Sequence, residues 1–304
     1  MVEKNTNLVE LSSAISGDFK ILGALDRHNL TPSPIDHSTK NSISFCSKTT
    51  KDALQIIRGS KAKVIICSNK LKFVEDDYKN KTLILVSNPK LVFAQVLRKY
   101  FEQKAEFGIS PTAVIDKNAR IHPRVYIGPH CYIGRCQIGE ETIIYGNVHI
   151  YSNVKIGKRV IIHAGTVIGA DGMEYVRNGK GEFVRFPHIS GVIIEDDVHI
   201  GSNASIMRGV LRNTVIGQGT RLGPFCSIGH QTIIGKHCLI ITRSLIGGSA
   251  SIGNHSRISM GAIIRDGIEI GSNVTIGMGS IVTKSIGDGW TAFGVPAREV
   301  RRSE

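Results

Sequence analysis

CSIGHQTIIGKHCLIITRSLIGGSASIGNHSRISMGAIIRDGIEIGSNVTIGMGSIV, residues 226–282, carries an aliphatic residue at every sixth position. The rungs are Ile228, Ile234, Ile240, Ile246, Ile252, Ile258, Ile264, Ile270, Ile276 and Val282. Two residues before the first seven stand small residues: Cys226, Thr232, Cys238, Ser244, Ala250, Ser256 and Ala262. A spacing of two puts both side chains on one face of a strand. Each six-residue unit is therefore a short strand with two inward residues, followed by a turn. Three such strands make one triangular coil, and aliphatics stack on aliphatics from coil to coil in a narrow core.

The ladder extends outward from this stretch. It passes through Leu222 and Ile216, slips by four residues, and continues back through Ile206, Ile200 and Ile194. It is broken over residues 169–191. An earlier run goes from Ile109 to Ile133, takes one five-residue step to Ile138, and proceeds to Ile168. Four of the six cysteines (Cys131, Cys136, Cys226, Cys238) sit on the small-residue comb and read as core filler.

Residues before about 105 lack the repeat. AKVIICS (62–68) and TLILVS (82–87) read as buried strands. Asn88-Pro89 reads as a helix cap and first turn, with Phe93, Val96, Leu97, Tyr100 and Phe101 on one face. The organisation expected is a small α/β domain over 1–105, a β-helix over 106–287 interrupted by a loop at 169–191, and a basic tail over 288–304. The fold class is mainly β, a parallel β-helix preceded by a small α/β domain.

The formal net charge of +13 attracts anions without naming one. The cations form no basic arm and lack interleaved aromatics, so nucleic acid is not an expected partner. No apolar run is long enough to span a membrane. MVEKNTNLVELSS (1–13) lacks the apolar core of a secretory leader, and no CxxC pair occurs. These features predict a reduced, cytoplasmic protein.

The ladder resembles the hexapeptide-repeat acyltransferases, whose prism is left-handed; the general rule for parallel crossovers points the other way. SISF (42–45), KTLILVSNPKLVFAQVL (81–97), GTVIGADG (165–172), PHISGVIIEDDVHIG (187–201), IMRG (206–209) and IGH (228–230) together resemble the UDP-3-O-acylglucosamine N-acyltransferases of lipid A synthesis. The resemblance implies a homotrimer, a nucleotide-sugar acceptor and a thioester donor. It makes His230 the general base. Gly248, one coil further on, would supply the backbone N–H for the oxyanion. Phe45, Asp171, Tyr175, His188 and Arg208 become candidates for acceptor binding, with His188 a second candidate base.

Several positions depart from that family. Lys48 and Lys51 stand where the family places the Asn and Tyr that grip uracil. Gly223 replaces an aspartate and Gly267 a second histidine. The family's C-terminal helices, which receive acyl carrier protein, have no counterpart here. GVPAR (294–298) instead resembles the end of acetyl-CoA-using relatives, with Lys284, Arg298, Arg301 and Arg302 as candidate CoA contacts. The expectation is an N-acyltransferase that moves an acetyl or short 3-hydroxyacyl group from acyl-CoA to a nucleotide-linked amino-deoxy sugar. The lipid A enzyme using acyl carrier protein is the first alternative. A zinc-dependent or non-catalytic prism is the second, although no histidine spacing suggests a metal site.

Overall fold

The computed structural model describes residues 18–24, 30–102 and 106–302. The stretch 1–13, read above for a leader, lies outside the described residues. The chain falls into two compact units, Met1–Lys104 and Ala105–Glu304.

The first unit is a five-stranded sheet ordered Lys20–Leu22, Thr82–Val86, Val64–Ser68, Ser42–Cys46, Thr31–Pro32. The last four are parallel, and Lys20–Leu22 joins antiparallel. Alternation along the strands sorts the side chains into two layers. Ile43, Val64, Ile66, Ile84 and Val86 pack with Val92, Phe93 and Val96 of the helix Pro89–Val96. Cys46, Ile65, Cys67, Leu83 and Leu85 pack with Ala53 and Ile57 of the helix Lys51–Gly59. Burial on both faces is why these strands read as continuous apolar runs. Asn88 caps its helix as expected, its side chain accepting from Leu91 N at 3.1 Å.

The second unit is a left-handed parallel β-helix with three faces, built from short strands. The rungs from Ile127 onward are buried. Ile109 is half exposed because its strand, Gly108–Ile109, lies at the edge of its sheet. The comb explains its own composition. Thr232 Oγ1 donates to Gly247 O at 3.0 Å and Ser256 Oγ to Gly271 O at 2.8 Å. Cys238 Sγ donates to Gly253 O at 3.1 Å in the same way. A small side chain with one donor fills the corner and satisfies the carbonyl of the next coil. The comb cysteines are buried, and burial pushes the Cys136 thiol up to about 12.

The ends of the prism correct one expectation. Residues 288–302 do not form a basic tail. Trp290–Gly294 pairs parallel with Thr275–Ile276 and antiparallel with Ala297–Arg302. Ala292 lies beside Ile276 in register and is fully buried, so it continues the ladder by one small rung. The period of six is lost there, which hides the strand from a repeat count.

Candidate active site

The site forms where the two irregularities of the ladder meet. The break at 169–191 is a two-stranded ribbon, Tyr175–Arg177 against Phe183–Arg185. Asn178 shapes its turn, Oδ1 accepting from Lys180 N and Glu182 N at 2.9 and 3.0 Å. The four-residue slip lengthens the turn after Ser205–Met207. Its Asn213 Oδ1 accepts from Ser190 Oγ and Gly191 N, at 2.7 and 2.8 Å, and so anchors the loop's exit. Gln231, next to His230, accepts from Leu211 N of the same turn at 2.9 Å.

His230 follows the strand Ser227–Ile228, whose partner on the next coil is Leu245–Ile246. Gly248 consequently stacks on His230, as the repeat predicts. A Cβ built on Gly248 would lie 2.5 Å from His230 Nε2, so only glycine admits the ring in this position. Among the described residues the Gly248 N–H has no hydrogen-bond partner. A free donor thus lies beside the nitrogen that would serve as base, the pairing an oxyanion site requires.

The insertion closes on this same imidazole. His188 is buried and meets the His230 ring edge to face, with centroids 5.4 Å apart. Gly172 lets the two approach, since a Cβ there would stand 2.9 Å from His230 Cδ2 and 3.1 Å from His188 Nε2. Glu174 Oε2 lies 3.3 Å from His230 Nε2. Burial holds His230 below the usual imidazole value; His188 adds to this, while Glu174 and Asp266 oppose it. Burial thus favours the neutral imidazole, the form a general base requires.

The remaining sequence candidates take other places. Arg208 donates to Gly169 O at 2.6 Å and Ser152 O at 2.7 Å, and stands 3.7 Å from Asp171. Its guanidinium therefore staples the root of the insertion. Asp171 also pairs with Arg185. Tyr175 is exposed on the ribbon, edge-on to Phe183. Phe45 belongs to the first unit and stacks on Phe93 at 4.9 Å. Lys48 is exposed. By register, Lys284 occupies the same coil corner as His230, three coils further along. Arg298 and Arg301 project from the final strand pair, while the Arg302 side chain lies outside the described set.

Sequence reasoning missed Glu174 and Asp266. Asp266 was legible, being the residue two after rung Ile264 in the same column as His230 and Gly248. Glu174 was not, because the insertion has no repeat from which its direction can be read. Three of the scattered histidines are explained by turns. His130, His237 and His255 occupy left-handed positions that Asn153, Asn203 and Asn273 fill elsewhere. Among the described residues, no group of three or more His, Cys, Asp or Glu is arranged to hold a metal ion. None of the described helices is long and apolar enough to cross a membrane.

A parallel β-helix that sets a neutral imidazole beside a free backbone N–H defines an acyltransferase of the hexapeptide-repeat class. Residues 135–170, 213–248 and 249–284 match the model for bacterial transferase hexapeptide (six repeats). Residues 191–211 and 231–266 match the hexapeptide repeat of succinyl-transferase, and residues 31–99 match UDP-3-O-(3-hydroxymyristoyl) glucosamine N-acyltransferase, LpxD. The UDP-3-O-acylglucosamine N-acyltransferase of Coxiella burnetii is 36% identical over 77% of this chain and 72% of its own. That of Helicobacter pylori is 29% identical over 78% and 73%. Among solved structures, the UDP-N-acetylglucosamine O-acyltransferase (LpxA) of Moraxella catarrhalis superposes with a TM-score of 0.59. It is 28% identical over 64% of this chain and 75% of that one. The chain belongs to the UDP-3-O-acylglucosamine N-acyltransferase family.

Proposed function

We propose that the chain transfers an acyl group from a thioester to the amine of a nucleotide-linked glucosamine, the reaction its relatives are named for. The observation that carries this is His230 Nε2 lying against Gly248, whose N–H is free. In the step proposed, the acceptor's neutral amine attacks the thioester carbonyl carbon and a C–N bond forms. His230 Nε2 takes the proton released from nitrogen. The Gly248 N–H holds the oxyanion, the C–S bond breaks, and the leaving thiolate takes its proton from His230. Tyr175, exposed on the ribbon, is the side chain proposed to meet the acceptor. The prism is proposed to work as a homotrimer, the usual assembly of this class.

The donor of the family is acyl carrier protein. A second reading, acyl-CoA as donor, is favoured by the strand pair at 290–302, where GVPAR and the exposed Arg298 and Arg301 follow the last coil. Assaying the purified protein with acyl-CoA and with acyl carrier protein thioester, against UDP- and dTDP-amino sugars, separates the readings. The assay should show transfer that falls roughly 10²- to 10⁴-fold in His230→Ala, the range for removing a general base. An undiminished rate in that variant removes His230 from the mechanism.

A further inference from the structure

His230 Nε2 is a nitrogen of the site that both Gly248 and the insertion address. Gly248 approaches it from the next coil, and the carboxylate of Glu174 from the insertion at 3.3 Å. An acceptor delivered to this base beside the oxyanion donor must therefore come against that carboxylate. Among the described residues Glu174 has no other ion pair. Its side chain is 41% exposed, so it is open to an incoming group. Its backbone is fixed, since Glu174 O accepts from Phe186 N at 2.8 Å across the foot of the ribbon.

We infer that Glu174 is a specificity residue that reads the acceptor's nitrogen as an ammonium and so selects amine over hydroxyl; this rests on the N-acyl transfer reading above. A sugar ammonium carries one positive charge and three N–H donors, whereas a hydroxyl is neutral and carries one. A carboxylate at the base rewards the first and is nearly indifferent to the second. Two acceptors served by one tetrahedral nitrogen stand about 4.7 Å apart when each hydrogen bond is about 2.9 Å. The exposed carboxylate therefore retreats from Nε2 by little more than an ångström to admit the nitrogen. The ammonium releases one proton to solvent along the carboxylate, and the neutral amine then attacks. Its second proton goes to His230, so charge and atoms balance.

The other groups facing His230 do not duplicate this role. His188 is buried, and its Nδ1 is taken up by Phe186 O at 3.1 Å. Asp266 lies two coils from His230 along the column.

The test compares wild type with Glu174→Gln and Glu174→Asp. Binding of a UDP-amino sugar and of its hydroxyl counterpart is measured by calorimetry, and KM and kcat are measured with both acceptors. The expected result in Glu174→Gln is a KM at least ten-fold higher for the amine. The change for the hydroxyl sugar should be under two-fold, with thermal melting unchanged and partial recovery in Glu174→Asp. Wild-type selectivity for the amine in binding that glutamine abolishes supports the inference even if no transfer is detected, in which case it is the activity reading that fails. Transfer with amine selectivity intact in Glu174→Gln overturns the inference and leaves the activity reading standing. A lower KM in Glu174→Gln also overturns it, because the carboxylate would then only obstruct the base.

Discussion

Two parts of one prism behave differently. From Ile216 to Val282 the ladder is unbroken, each coil repeats the last, and the inward residues are buried or packed against the core. Between Ile168 and Ile216 it is broken by a ribbon and a lengthened turn, and Gly172, Glu174 and His188 are brought onto His230. The regular part provides a rigid column that sets His230 against Gly248. The irregular part supplies side chains that no coil could present, since a coil offers outward residues only along its faces and corners. A solenoid acquires chemistry where its repetition fails, while the repetition fixes the distances at which that chemistry operates.

The comparison breaks most sharply at Gly248. Gly248→Ala keeps the backbone N–H, so its effect falls on the base, and kcat is expected to drop by roughly 100-fold or more, the scale of misplacing a general base. Its Cβ would stand 2.5 Å from His230 Nε2 and displace the ring. Melting temperature should move less than for a truncated core rung, because Gly248 is only half-buried. Activity retained in that variant would show that column and site are not coupled as described. The converse change is Ile258→Ala, in the regular part. A fully buried rung truncated to alanine is expected to cost about 2–5 kcal/mol of stability, seen in denaturant unfolding, with kcat unchanged below the transition. Equal losses of stability and activity would deny that the two regions have separate roles.

The smallest effect concerns pH. His163 and His199 stack on one face with Nε2 atoms 2.7 Å apart, and Tyr145 stacks on His163. Burial, with help from His163 and Arg221, pulls His199 down to about 4. A histidine depressed in the folded state is neutral there and charges more readily when unfolded. Its contribution to stability is complete above about pH 6.5 and is lost as pH falls toward 4. Melting temperature should therefore decline across that window, and His199→Gln should flatten the decline. An unchanged slope in the variant would assign the acid sensitivity elsewhere.

Much of this was legible before any coordinates. The period of six named the prism, and the offset of two named its inward faces. The register alone placed Gly248 on His230, because a constant coil length turns sequence separation into stacking. The resemblance of IGH and its flanks to a known family then supplied the role proposed for His230. The strand at 290–294 was hidden because Ala292 continues the core without continuing the period. Arg208, taken as an acceptor contact, binds the carbonyls of Gly169 and Ser152 instead. That fate depends on how the ribbon's root bends, on which the repeat says nothing.

The sequence by itself determined the column: which residues point inward, which stack, and that Gly248 lies one coil from His230. Short-range periodicity suffices there, since each coil contacts only its neighbours. Only the tertiary structure decided that residues 172, 174 and 188 converge on residue 230. Those contacts span about forty to sixty positions of chain and depend on the fold-back of a non-repeating ribbon. No local pattern encodes that direction; it is set by the turn at Asn178, the Arg208 staple and the Asn213 anchor acting together.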